Sequence, residues 1–192
     1  QVEDERVQLA SRQDTQRQLL TQVEAEKKRV AQALNEMEAQ LRQIGSKIRE
    51  IQAKSNRQLT SRGTDNMLWP LKGYTSISSK FGWRIHPILG TNRFHDGVDV
   101  RAPSGANILA PEDGEVISTG WLGGYGNHIV IDHGGGLSTM FAHLSTILVR
   151  EGQEVQRGQV IGRVGSTGWS TGPHLHFSVL LRGEPTNPMN YY

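Results

Sequence analysis

Residues 172–181 read GPHLHFSVLL, a run in which two histidines alternate with apolar residues. Successive side chains of a strand point to opposite faces, so His174 and His176 share one face while Leu175 points to the other. Other short apolar runs, such as NHIVID at residues 127–132, are separated by glycine-rich turns. This pattern is typical of all-β proteins. We therefore expect an antiparallel β-sheet domain with two histidines on one face of a strand.

Two further motifs carry side chains that bind metals. His95 lies four residues before Asp99 in FHDGVDV, and His143 stands alone in TMFAHLS. Gly97 and the β-branched valines around it argue against a helix, so this is not the helical H-E-x-x-H motif. Imidazole and carboxylate suit Zn²⁺, and catalytic zinc sites usually take three protein ligands. The five residues of these motifs are therefore enough for one zinc ion, with two histidines to spare.

The same motifs make the chain resemble the lysostaphin/LytM-type zinc endopeptidases, bacterial enzymes that cut peptide cross-links in peptidoglycan. The similarity runs from about residue 68 to the C-terminus. It includes LWPLKG, SSKFGWRIHP, FHDGVDVRAPSGANILAPEDGEV, YGNHIVIDHGGG, FAHLS, VQRGQVIGRVGSTG and STGPHLHFSV, in that order. The resemblance implies an antiparallel β-sheet fold with the metal in a groove across one sheet.

The resemblance also implies the role of each motif residue. One Zn²⁺ per chain would be bound by His95, Asp99 and His176, with His143 and His174 as the catalytic histidines. Because none of the five is missing, an active enzyme is favoured over the relatives that have lost ligands and only activate other cell-wall hydrolases. Such a non-catalytic activator, or a latent enzyme whose groove is covered, remains the alternative.

Other residues near the motifs receive weaker predictions. His128 and His133 flank an apolar strand, and we expect them to be structural or solvent-facing. His86 is a candidate for the rim of the groove, where it would help to bind an oxyanion. Trp169 stands where relatives often carry a polar or basic residue. Ser170 lies in a G-x-S-x-G motif, but that motif requires a following helix, whereas a strand follows here.

The N-terminal segment has a different period. Apolar residues occupy the core positions of a heptad without a break over residues 30–51, namely Val30, Leu34, Met37, Leu41, Ile44, Ile48 and Ile51. The segment contains no proline, and a helix of about 55 residues is roughly 80 Å long. Such a helix has no core of its own. Its apolar stripe must pack against a second copy, an upstream helix or the β domain.

We divide the chain into a coiled-coil helix at residues 1–58, a linker at 59–67 and a LytM-like domain at 68–192. The linker falls in the polar stretch SNRQLTSRGTDN. Coiled-coil relatives such as the EnvC-like factors are regulated by membrane complexes of the division machinery. The resemblance therefore suggests that the helix recruits or regulates, with a membrane-bound division complex or a second helix as its partner, and the alternative is a plain spacer.

Composition excludes several classes of protein. The chain of 192 residues has no cysteine, so a thiolate nucleophile and disulfides are excluded. Residues 1–60 carry 11 Lys plus Arg against 9 Asp plus Glu with the signs interleaved, and residues 61–192 carry 10 against 10, so no basic stripe suited to nucleic acid is present. The first residues are polar, so no signal sequence is present in the chain as given. Given the substrate, we expect an extracytoplasmic location.

Overall fold

The structure is a computed structural model that describes residues 2–54, 66–86 and 89–192. The predicted long helix is confirmed: α1 runs without interruption over Val2–Lys54. Most of the predicted linker lies outside the described residues. Met67, at its end, packs into the core of the β domain. The division of the chain into domains stays a prediction.

The rest of the chain forms strands, as expected for an all-β domain. In chain order they are β1 Ile77–Ser79, β2 Gly82–Ile85, β3 Asn92–His95, β4 Val98–Arg101, β5 Asn107–Leu109, β6 Gly114–Leu122, β7 Gly126–Gly134, β8 Leu137–Ala142, β9 Leu144–Ile147, β10 Glu154–Val155, β11 Val160–Val164, β12 His174–Leu181 and β13 Glu184–Thr186. Two short 3₁₀ helices, η1 Gly123–Tyr125 and η2 Pro188–Tyr191, complete the described elements.

The strands form one large sheet, one small sheet and a hairpin, and all of their pairings are antiparallel. The large sheet has the order β1-β4-β12-β8-β7-β6-β10, with β13 added to β12. The small sheet has the order β5-β11-β9, and β2 pairs with β3. The antiparallel β-sheet prediction is therefore confirmed.

The two faces of the large sheet have different partners. One face, which includes Val100, Phe141 and Phe177, packs with the small sheet in the main hydrophobic core. The alternate residues of the same strands, such as Met140 and Leu180, form the opposite face. Because side chains alternate along a strand, His174 and His176 lie on this second face. We call it the groove face.

The apolar stripe of α1 packs against the groove face. Of the three partners that the sequence left open, the stripe therefore uses the β domain. Ile44 and Ile48 are buried there with Val130, Met140 and Leu180. In contrast, the large apolar side chains of the first part of the helix are exposed, namely Val2, Val7, Leu9, Leu19, Leu20 and Val23. The second half of α1 is therefore part of the folded unit.

Close backbone contact and polar pairs fix the position of the helix. Gly45 lies against the backbone of Gly183 in the β12–β13 hairpin, and neither position has room for a Cβ atom. Nearby, Arg49 forms an ion pair with Glu184 at 2.8 Å. Gln52 donates a hydrogen bond to Asp132 at 2.8 Å. Among the described helices, none is long and apolar enough to cross a membrane.

Candidate metal centre

Three separate strands bring His95, Asp99 and His176 together. Asp99 on β4 is the direct cross-strand partner of His176 on β12, so their side chains share the groove face. His95 ends β3, which pairs with β2 in the hairpin that folds over this point. The strand pairing thus converts motifs that are about 80 residues apart into one cluster of donor atoms.

The donor atoms of the cluster have the spacing of a tetrahedral metal site. His95 Nε2 lies 3.3 Å from His176 Nδ1 and 3.3 Å from Asp99 Oδ1. His176 Nδ1 lies 3.0 Å from Asp99 Oδ1. Metal–ligand bonds of about 2.0–2.1 Å at tetrahedral angles place neighbouring donors about 3.3–3.4 Å apart. These residues therefore fit a small divalent cation such as zinc, with the donor count that is usual in catalytic sites.

The other nitrogen of each histidine is held by the protein. His95 Nδ1 lies 2.9 Å from the carbonyl oxygen of Lys80, to which it can donate its proton. His176 Nε2 lies 3.0 Å from Ser178 Oγ and 3.4 Å from Asp96 Oδ2. Protons on these atoms leave the lone pairs of His95 Nε2 and His176 Nδ1 directed at the cluster, as metal binding requires.

Asp96 is a functional candidate that the sequence did not reveal. Its buried carboxylate accepts hydrogen bonds from Tyr125 Oη at 3.0 Å and Ser178 Oγ at 3.2 Å, beside His176. Gly97 permits this close packing, because a Cβ there would lie 2.6 Å from Ser178 Oγ. A signal was available in Ser178, which lies two residues after His176 on the same face of the strand. Asp96 itself lies between β3 and β4, where no periodicity predicts the direction of its side chain.

Charge complementarity within the cluster shifts the pKa values of its members. Burial alone would lower the pKa of His176, but the charges and hydrogen bonds of Asp96 and Asp99 raise it to about 10. Burial alone would raise the pKa of Asp96, but the charge of His176 lowers it to about 2. The pKa of Asp99 is also lowered, against the effect of its burial, by hydrogen bonds from His176 and His95. Both carboxylates are therefore ionised at neutral pH, and His176 carries a proton on each ring nitrogen until a metal ion displaces the one on Nδ1.

His143 and His174 lie side by side next to the cluster, with ring centroids 4.8 Å apart. His143 Nδ1 lies 2.8 Å from the carbonyl oxygen of Thr167, and His174 Nδ1 lies 2.8 Å from that of Gly172. Because each Nδ1 can donate its proton to a carbonyl, each Nε2 is left with a free lone pair. His174 Nε2 is 3.7 Å from Asp99 Oδ1, so this lone pair borders the cluster.

Two properties distinguish His143. Its φ angle of 62° lies in the left-handed region, which non-glycine residues seldom adopt outside functional sites and turns. Burial lowers its pKa to about 4, with further lowering by the charges of His176 and His174. At neutral pH its imidazole is therefore uncharged and able to accept a proton.

The remaining histidines form two groups, two that are buried away from the cluster and one on the wall of the cavity beside it. His128 is buried and bonds Ser118 Oγ and the carbonyl oxygen of Gly120, as expected for a structural residue. His133 is also buried and bonds Thr139 Oγ1 at 2.8 Å. In contrast, His86 lines the cavity beside the cluster, in agreement with the predicted rim position.

The serine-hydrolase alternative finds no support in the geometry around Ser170. Ser170 lies in a loop before β12 rather than before a helix. Its Oγ is 3.3 Å from His174 Nδ1, but that nitrogen donates to the carbonyl oxygen of Gly172 and has no lone pair left for a serine proton. Trp169 is 45% exposed and lies on the wall of the cavity beside the cluster.

Two cavities meet at the cluster. The outer cavity, of about 690 Å³, includes Asp99 and His174 together with Arg84 and Arg101. The helix-side cavity, of about 520 Å³, includes all five motif residues, and α1 forms one of its walls with Glu26, Val30, Ala33, Leu34, Met37, Glu38 and Leu41. A groove thus passes the candidate metal centre and is open on one side and walled by the helix on the other.

Comparison with known proteins agrees with this geometry. The sequence profile described as Peptidase family M23 matches residues 93–188. DD-carboxypeptidase/endopeptidase Mpg of Neisseria meningitidis is 51% identical over 117 residues, covering 61% of this chain and 27% of the relative. Peptidoglycan DD-endopeptidase ShyA of Vibrio cholerae is 43% identical over 122 residues, covering 63% of this chain and 28% of that protein.

Among solved structures, a zinc containing peptidase from Vibrio cholerae is similar with a TM-score of 0.61 and 43% sequence identity. The match covers 63% of this chain and 38% of that one. The chain spans little more than a quarter of the length of the two curated relatives that it matches.

Proposed function

The chain belongs to peptidase family M23, and on that premise we propose that it is a zinc-dependent endopeptidase that hydrolyses peptide cross-links of bacterial peptidoglycan. The observation that carries the proposal is the triangle of donor atoms from His95, Asp99 and His176, with sides of 3.0–3.3 Å. A non-catalytic activator would have no need for this spacing. Action on the cell wall implies an extracytoplasmic location.

The donor set of two imidazoles and one carboxylate suits zinc, one ion per chain. When bound, zinc supplies a Lewis acid that polarises the scissile carbonyl group and increases the acidity of water. Asp96 acts on this centre through His176. Ser178 Oγ accepts a hydrogen bond from His176 Nε2 and donates one to Asp96, whose charge lies 3.4 Å from the same nitrogen. This arrangement favours the tautomer whose Nδ1 would bind the metal.

His143 and His174 provide the proton transfers. One of the two accepts a proton from the attacking water at its free Nε2, while the hydrogen bond at Nδ1 holds the ring in place. The same histidine or its neighbour then donates a proton to the nitrogen of the leaving amine as the amide bond breaks. A histidine is suited to both steps because neutral imidazole accepts a proton at one ring nitrogen and imidazolium can return it.

A latent form of the same enzyme is the second candidate, and the helix wall favours it. Arg93, two residues before His95, donates hydrogen bonds to Asn35 at 2.9 Å and Glu38 at 3.3 Å, both on α1. The helix thus binds the hairpin that carries a candidate ligand, and it narrows access to the metal centre. Residues 2–29 of α1 are exposed, and they provide the surface that would bind a second helix or a membrane-bound division complex.

The proposed function is tested by digesting purified cross-linked peptidoglycan and identifying the products by mass spectrometry. The zinc-loaded chain, or its Gly45→Ala variant in which the helix contact is disturbed, should convert cross-linked muropeptides to monomers by breaking one amide bond. Chelation should stop the reaction and added zinc should restore it. If neither protein cleaves any cross-link in the presence of zinc, the proposal is wrong.

A further inference from the structure

Arg101 lies beside the candidate metal centre on the groove face. It is the direct cross-strand partner of His174 and lies two residues after Asp99 on β4. Side chains of such partners are about 5 Å apart at Cβ, and residues two apart on a strand share a face. A guanidinium group is therefore placed next to a candidate ligand and a candidate catalytic histidine.

Arg84 approaches the same region from the hairpin. It lies on β2, two residues after Gly82, the cross-strand partner of His95. Arg84 and Arg101 both line the outer cavity, together with Asp99 and His174. Two separate elements thus contribute positive charge to the open half of the groove.

Among the residues that the structure describes, these two arginines have no carboxylate partner, in contrast to the third arginine of the groove. Arg93 pairs with Glu38 of the helix, but neither Arg84 nor Arg101 forms an ion pair with any residue in the described ranges. The Nε atom of Arg84 is buried without a hydrogen-bond partner among the same residues. A buried donor on a group that is always charged is costly to leave unpaired. An anionic ligand in the outer cavity, which Arg84 lines, would offset the uncompensated charge of its guanidinium group.

From these observations, and on the basis of the proposed function, we infer that the outer cavity is a subsite for a free carboxylate of the substrate peptide. Arginine forms strong charge-assisted bonds with carboxylates, and two arginines can bind both oxygens of one group. Arg101 is the cross-strand partner of His174, a candidate proton donor to the leaving amine, so the bound carboxylate belongs to the residue that supplies this amine. The substrate class is a peptide whose leaving amine carries a free carboxylate rather than a carboxamide.

The test uses two synthetic cross-linked peptides that differ only at the residue supplying the leaving amine, with a carboxylate in one and a carboxamide in the other. Zinc-loaded protein should cleave the carboxylate peptide with a higher kcat/KM, by about tenfold or more. Arg101→Ala and Arg84→Ala should reduce this preference by about ten- to hundredfold, mainly through KM. Arg101→Lys should restore part of the preference, because it keeps the charge without the planar fork.

Arg163→Ala is the matched control, because Arg163 is exposed on β11 in the small sheet. It should keep the wild-type preference, and all variants should retain zinc. Equal losses on both peptides would make the two arginines structural and overturn the inference. Equal cleavage of both peptides by the wild-type chain would overturn it while leaving the proposed function intact. If neither the wild-type chain nor Gly45→Ala cleaves either peptide, the proposed function is contradicted. The present inference, which rests on that function, is then contradicted as well.

Discussion

The Nε2 atom of His176 lies 3.4 Å from Oδ2 of Asp96, while Nδ1 of the same ring lies among the candidate metal donors. The imidazole therefore connects a buried carboxylate to the metal site. Carboxylates in this position fix the orientation of a ligand and increase its basicity. A change at Asp96 should therefore affect the metal without altering any donor atom.

Asp96→Asn should weaken zinc binding by about 10–100-fold, because the neutral amide is a poorer acceptor for the proton of His176. Competition with a chromophoric chelator measures the affinity directly. Asp113→Asn is a suitable control, because Asp113 is exposed and precedes β6, which carries none of the donors. Its Oδ1 accepts a hydrogen bond from Arg157 N, which an amide oxygen can also accept. Unchanged zinc affinity in a folded Asp96→Asn protein would show that Asp96 does not support metal binding.

His143→Ala and His174→Ala should retain zinc and lose about two to four orders of magnitude in hydrolysis rate, the range usual for a general acid or base. Because the φ angle of His143 favours residues that tolerate the left-handed region, His143→Asn provides a second variant with less backbone strain. Zinc content and rate are measured on the same samples. A metal-free variant would instead place that histidine among the ligands.

Gly45→Ala should loosen the helix from the β domain. Alanine favours a helix by about 1 kcal/mol over glycine, so the helix itself is not weakened. The added Cβ atom has no space against Gly183, so the packing there must open. If the helix restrains the enzyme, the variant should digest peptidoglycan faster than the wild-type chain.

Gln18→Ala, on the exposed part of α1, is the control for that experiment and should match the wild-type rate. Hydrogen exchange in residues 30–52 reports whether the helix has moved. Increased exchange there without any change in rate would show that the helix wall does not limit access to the metal centre.

The sequence predicted the structure well where a repeating pattern of apolar residues fixes the direction of the side chains. The alternation around His174 and His176 correctly placed both on one face of a strand, and the heptad correctly gave one long helix. It could not identify what covers the apolar stripe, because such a stripe fits a helix or a sheet equally well. The contact of Gly45 with Gly183 is equally hidden, since it joins positions remote in sequence.

Zinc content, measured by elemental analysis on the purified chain and its variants, tests the assignment of the metal ligands. We predict one zinc per wild-type chain and loss of zinc in His95→Ala, Asp99→Ala and His176→Ala, because two ligands seldom retain a catalytic metal. His86→Ala, on the cavity wall but outside the donor triangle, should keep its zinc. Full zinc occupancy in Asp99→Ala would contradict the assignment.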